Sequence, residues 1–136
     1  MIGLLDTSGL IWIERAPDQA LELAAHILAG DVATCEPICL ELLRGTRSTA
    51  EFDERARDLA GLPQVEVTPG VLSRARSIQR DLTRLPGPRH RTVPVLDLLV
   101  AAAAIEAELP ILHRDRDFEA IAEVTGQPQR WVGPRA

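Results

Sequence analysis

Lysine is missing altogether, and each of the fifteen basic residues is an arginine. That absence excludes the mechanisms that depend on lysine: a Walker-type phosphate loop, a Schiff base, and a receiver-type phosphorylation site with its lysine. It says nothing about the fold. Tyrosine is also absent, and with only two Trp and two Phe the chain has few platforms on which single-stranded bases could stack. Cys35 and Cys39 are the only cysteines, and no ordered His set accompanies them, so a zinc site is excluded. Within "TCEPICLELLRG", read as helical, the two thiols lie one above the other as reduced core residues. No run reaches the roughly 18 to 20 uncharged apolar residues of a membrane span, and the start of the chain has neither the basic flank nor the cleavage site of a signal peptide. The expectation is a cytoplasmic protein with no membrane partner.

What is present is enough apolar material for one real core. A length of 136 residues, 46% of them hydrophobic and 26% charged, predicts a single domain over residues 1–136. "MIGLLDTSGLIWIERA" reads as a buried strand, Ile2 to Leu5, ending on Asp6, with Thr7 and Ser8 as caps of the next helix. "DQALELAAHILAG" is an amphipathic helix stopped by Gly30, and "DVATC" is a second strand. Pro37 then opens the helix "PICLELLRG", closed by Gly45. A polar-faced helix in "TAEFDERARDLAGL", an edge-like strand "QVEVT" and an amphipathic helix "PGVLSRARSIQRDLTR" follow, before a loop "LPGPRHRTV". Residues 94 to 109 form the next helix, with Pro94 in its first turn. Strand Ile111 to His113, a turn bearing Asp115 and Asp117, a helix ended by Gly126 and a short strand "RWV" complete the chain. Strands alternating with helices predict an α/β fold, a central mostly parallel sheet covered on both faces.

In such sheets ligands gather at the carboxyl ends of the strands. Asp6 is delivered there by the first strand, and Asp115 and Asp117 by the strand beginning at Ile111. Glu41 and Asp97 sit within apolar helical runs, "PICLELL" and "PVLDLLVAAAA". Singly, each acid has a local explanation. Asp97 lies in a first turn, where the helix dipole favours an acid by about 0.3 to 1 kcal/mol. Glu41 can pair with Arg44, and Asp115 and Asp117 can cap the helix at Phe118. Jointly these explanations do less well, because burying a carboxylate costs several kcal/mol unless a cation or a metal compensates. Crowded carboxylates raise one another's pKa, and a hard divalent ion relieves them; oxygen-only ligands suit magnesium or manganese. The net charge of −5 equals in size the charge of the five acids. A metal-loaded anionic pocket suits phosphodiester hydrolysis by a metal-activated water.

Four segments taken together, "LLDTSGLI", "LELLRG" with Glu41, "DLLVAAAAI" with Asp97 and "ILHRDRDF" with Asp115 and Asp117, resemble the PIN-domain ribonucleases, specifically the VapC toxins of bacterial toxin–antitoxin pairs. The resemblance covers nearly the whole chain in order. It implies a PIN-like three-layer α/β/α sandwich and a magnesium-dependent endoribonuclease, with manganese a possible substitute. It also implies a VapB-type antitoxin as inhibitor and a homodimer. The family's acidic quartet falls on Asp6, Glu41, Asp97 and Asp115, with Asp117 holding a second ion or orienting a water. Metal ligation is therefore expected at Asp6, Asp97, Asp115 and Asp117, with a hydroxyl from Thr7 or Ser8 supporting the first. Ala101 to Ala104 match the family's alanine-rich face and would let that helix approach the sheet closely. His113 departs from the pattern, standing where many relatives carry Thr or Ser.

RNA binding calls for basic groups near the acids. Arg84, Arg89 and Arg91 flank the Pro-rich loop, and Arg44, Arg114 and Arg116 adjoin the acidic motifs. The scarcity of aromatics favours a structured RNA, such as tRNA or rRNA, recognised by shape. An alternative from another class is a catalytically inactive binding module of the same fold whose acidic pocket captures an Arg-bearing, antitoxin-like partner. A phosphatase of the haloacid dehalogenase type ranks behind both. It needs a second Asp two residues after the first, and Asp6 is followed by Thr7 and Ser8.

Overall fold

The computed structural model describes residues 1–135. Its elements in chain order are β1 (Gly3–Leu5), α1 (Thr7–Arg15), α2 (Leu21–Leu28), β2 (Val32–Cys35), α3 (Glu36–Leu43), α4 (Thr49–Ala60), β3 (Gln64–Val65), α5 (Pro69–Leu82), α6 (Arg89–Thr92), α7 (Val95–Glu106), β4 (Ile111–His113), α8 (Arg116–Thr125) and β5 (Gln129–Trp131). The strands make one sheet in the order β3-β2-β1-β4-β5, and every neighbouring pair is parallel. Parallel strands must be joined by crossovers that lay helices on the faces, so strands buried on both sides read as short unbroken apolar runs.

Period-two alternation sorts the strand residues between two cores. Leu4, Ala33 and Ile111 face the larger one, with Ile38, Leu82, Leu98 and Phe118. Leu5, Val32 and Leu112 face the smaller one, with Leu23 and Val132, backed by Trp12 and Ile13 of α1. This is the covered parallel sheet expected from the sequence. Ala101 to Ala104 have no exposed surface. The small side chains let α7 pack chiefly against α5, with α3 and α8 beside it, so the close approach is mainly between helices, while Leu4 and Ile111 of the sheet share the same core.

Several local expectations are corrected. Thr7 and Ser8 do not cap α1: Asp6 does, its carboxylate accepting from the Ser8 backbone N–H. Cys35 is the last residue of β2, and only Cys39 lies on α3; both thiols are buried and free. The edge strand pairs over two residues only, Thr34 with Gln64 and Cys35 with Val65. The Pro-rich loop contains the single turn of α6. Helix α7 starts at Val95 with Pro94 as its N-cap, and α8 starts at Arg116, before Phe118. The last strand is shifted one residue earlier, to Gln129–Trp131, although the Val132 N–H still bonds to the His113 carbonyl at 2.9 Å.

The sheet order sets the position of the site. The chain runs outward from β1 through β2 to β3, then resumes on the other side at β4. The switch point therefore lies between β1 and β4, where a crevice opens beyond the carboxyl ends. Those two strands approach closely: a Cβ on Gly3 would stand 2.8 Å from both the Pro110 carbonyl oxygen and Leu112 Cγ. The Asp6 N–H bonds to the Leu112 carbonyl at 3.0 Å and anchors the end of β1 to β4.

Candidate active site

Asp6 leaves β1 at the switch point and is almost fully buried. One of its oxygens, Oδ2, accepts from the Ser8 N–H at 3.1 Å and the Ser8 hydroxyl at 2.8 Å. The same hydroxyl accepts from the Arg114 backbone N–H at 2.9 Å, tying the first acid to the turn after β4. Of the two hydroxyls considered from the sequence, Ser8 is thus the one bonded to Asp6, and the Thr7 hydroxyl has no hydrogen-bond partner. The other Asp6 oxygen, Oδ1, is buried without a partner.

Asp115 is the N-cap of α8, its Oδ1 accepting from the Asp117 N–H at 2.9 Å. The local capping explanation is therefore correct for Asp115, and it occupies one of the two oxygens. Asp117 stands in the first turn of α8 and Asp97 in the first turn of α7. The two helices bring their N-terminal turns together, so that ligating oxygens of Asp97, Asp115 and Asp117 all lie within 4.8 Å of one another. Asp6 is outside that trio, although its charge acts on Asp97 and the charge of Asp115 acts on it. Glu41 lies on α3, half-buried, in the wall of a neighbouring cleft of about 580 Å³ that Thr7, Arg15, Arg44, Thr46 and Arg55 also line.

The electrostatics follow from this crowding. Burial, followed by the charges of Asp6, Asp115, Asp117 and Glu41, pushes the Asp97 carboxyl up to about 8. Burial also raises Asp6, opposed by the bonds from Ser8, and it raises Asp117 together with the charge of Asp115. None of these acids, nor Glu41, enters an ion pair among the described residues; the pairing of Glu41 with Arg44 open from the sequence is not made. Asp97 Oδ2 is buried and unpartnered, like Asp6 Oδ1. Buried carboxylate oxygens without donors call for compensation, and an all-carboxylate donor set fits a hard divalent cation.

The arginines divide. Arg114 is spent on structure: it donates to the carbonyls of Val132 at 2.6 Å and Pro134 at 3.0 Å, and its guanidinium lies 5.2 Å from the Trp12 ring centroid and 5.4 Å from that of Trp131. Arg84 pairs with Asp81 at 3.3 Å. Arg89, Arg91 and Arg116 are exposed, with the Arg89 charge acting on Asp117, and Arg44 is exposed at the cleft. Arg15 and Arg55 of the cleft were not anticipated, because neither adjoins one of the five candidate acids in sequence; Arg55 pairs with Glu14 at 2.8 Å. Gln129 was also missed. It reaches His113 from sixteen residues away, through strand pairing that no local pattern announces.

Comparison with known proteins agrees with the geometry. Residues 3–124 match the PIN domain family model. The chain is 34% identical over 136 residues to Ribonuclease VapC18 of Mycobacterium tuberculosis, covering 99% of this chain and 98% of the relative. It is 39% identical over 132 residues to Ribonuclease VapC51 of the same organism, covering 96% and 93%. Among solved structures, a chain of VapBC2 from Rickettsia felis, bound to a DNA fragment from its promoter, superposes with a TM-score of 0.69 at 16% identity, covering 96% and 98%. The chain belongs to the PIN-domain family, among the VapC ribonucleases.

Proposed function

We propose that the protein is a metal-dependent endoribonuclease, the toxin of a toxin–antitoxin pair, acting in the cytoplasm as a single PIN domain over residues 1–136. The observation that carries the reading is the trio of Asp97, Asp115 and Asp117 oxygens within 4.8 Å at the switch point, with no cation paired to them among the described residues. Asp97, Asp115 and Asp117, with Asp6 beside them, would hold a divalent ion, magnesium by preference and manganese as a substitute. Such an ion supplies a lowered pKa for a bound water and neutralises phosphate oxygens. The chain's own groups do the rest. Asp115 caps α8 and so holds that helix's first turn, with Asp117, against Asp97. Ser8 orients Asp6 through its hydroxyl. Glu41, on the cleft wall beside Thr7, adds its charge to those acting on Asp97 and is the remaining acid of the proposed catalytic set.

The substrate class is a structured RNA, such as tRNA or rRNA, because the chain offers few aromatic platforms and several exposed arginines near the acids. A VapB-type antitoxin and a homodimer are the proposed partners. A neighbour solved as a VapBC complex supports the antitoxin, and the homodimer rests on the family resemblance. No described helix is long and apolar enough to cross a membrane.

The test is incubation of the purified protein with total RNA, with magnesium or with EDTA, followed by mapping of the cut ends. Discrete cleavage that needs the metal and is lost in a folded Asp97→Asn variant is expected. A folded, unaltered protein that binds an antitoxin but cuts no RNA in any divalent metal would instead establish the binding-module alternative.

A further inference from the structure

We infer that His113 and Gln129 form a positioning pair that fixes the turn carrying Asp115 and Asp117, and through it the geometry of the carboxylate trio; the inference rests on the divalent-ion reading above. His113 ends β4 and is completely buried. Its ring is wedged between Phe118 of α8 and Trp131 of β5, with centroids 5.2 Å and 5.8 Å away. The backbone N–H of Asp115 points at Nδ1 from 3.0 Å. A backbone N–H can only donate, so Nδ1 is the acceptor and a neutral ring carries its proton on Nε2. From there it donates to Gln129 Oε1 at 2.5 Å.

Gln129 is no free-swinging surface group. It opens β5 in register with Ile111 of β4, two residues before His113, so its backbone is set by the ladder. A continuous chain of hydrogen bonds therefore runs from the edge strand through the imidazole to the Asp115 N–H, and on from Asp115 Oδ1 to the Asp117 N–H at 2.9 Å. The preceding residue is held from the other side, where the Arg114 N–H donates to Ser8. Two side chains from two different elements thus clamp consecutive backbone amides of one turn. Thr or Ser at position 113 would accept from the same N–H but is too short to reach Gln129 as well. The imidazole adds a second anchor, and its direction fixes the ring's tautomer, as outer hydrogen-bond partners do for ligand groups in metal sites.

The test combines manganese binding with the state of the ring. Calorimetric titration of manganese into metal-stripped protein is expected to show binding by the unaltered chain and an affinity about 10- to 100-fold weaker in His113→Leu. His113→Asn, whose Oδ1 restores an acceptor for the Asp115 N–H, should recover most of the loss. Gln129→Leu should weaken binding in the same direction, and it alters an exposed residue should the His113 variants fail to fold. Nitrogen-15 spectra of the unaltered, metal-free protein should show His113 Nδ1 unprotonated and Nε2 protonated. A folded His113→Leu or Gln129→Leu variant that binds manganese as tightly as the unaltered chain overturns the inference alone, as does a protonated Nδ1. An unaltered chain that binds no manganese removes the divalent-ion reading itself, and the inference with it.

Discussion

Asp97 is a residue whose folded surroundings oppose its own charge. Burial and four neighbouring acids push its carboxyl from an ordinary value near 3.8 up to about 8. Without metal, the folded chain therefore binds this proton more tightly than the unfolded chain does. The stability this contributes is complete below about pH 4 and is lost as the pH rises through about 8. The raised carboxyls of Asp6 and Asp117 act in the same direction. In EDTA, the melting temperature should fall across this window. Asp97→Asn should flatten the slope and stabilise the protein at pH 8 by about 2 kcal/mol after allowance for solvent screening, or roughly 5 to 10 °C. Thermal melts at a series of pH values decide this; a melting temperature that climbs with pH, or a slope that Asp97→Asn leaves unchanged, contradicts it. Asp97 was legible in the sequence because an acid inside "VLDLLVAAAA" breaks the hydrophobic pattern. The division of labour between Ser8 and Thr7 was not, since adjacent hydroxyls differ only in where the first turn of α1 points them.

At the scale of the element, one residue can serve the helix and the site together. Asp115 caps α8 with Oδ1, and α8 in turn carries Asp117. Asparagine caps about as well as aspartate but brings no charge, so Asp115→Asn separates the two duties. The variant should lose none of its metal-free stability, because the cap is kept and the repulsion on Asp97 and Asp117 is relieved, yet lose the rise in melting temperature that magnesium gives the unaltered protein, whereas Asp115→Ala should be about 1 kcal/mol less stable than Asp115→Asn for want of the cap. Chemical denaturation with and without magnesium tells them apart; an Asp115→Asn variant still stabilised by magnesium would reduce the residue to a cap. The elements themselves were largely legible. Short apolar runs ending in Asp marked β1, and Gly126, which adopts a left-handed φ of 70°, marked the end of α8. Helix α6 was not legible, because a single turn in "RHRT" has no apolar periodicity to betray it. The shift of β5 by one residue has a similar cause: on an edge, ladder pairing and not burial decides where the strand stops.

At the scale of the whole molecule, the sheet order does the gathering. Asp6 and Asp115 are 109 residues apart in sequence, yet β1 and β4 are neighbours, and Ser8 bridges the two ends through the Arg114 N–H. Helix α7 enters the same crevice from the larger core and delivers Asp97. The sequence could point to a parallel sheet and to acids at strand ends, but not to which strands adjoin, and that adjacency determines which acids meet. Arg114 shows the converse: it stands beside Asp115 in sequence, and the fold turns its guanidinium onto Trp12, Trp131 and two backbone carbonyls. The most direct measurement is the anomalous scattering of manganese in crystals of the unaltered protein. A single strong peak ligated by Asp97, Asp115 and Asp117 is the expected result. Well-ordered carboxylates with no peak between them at saturating manganese, or with arginines in its place, would contradict it.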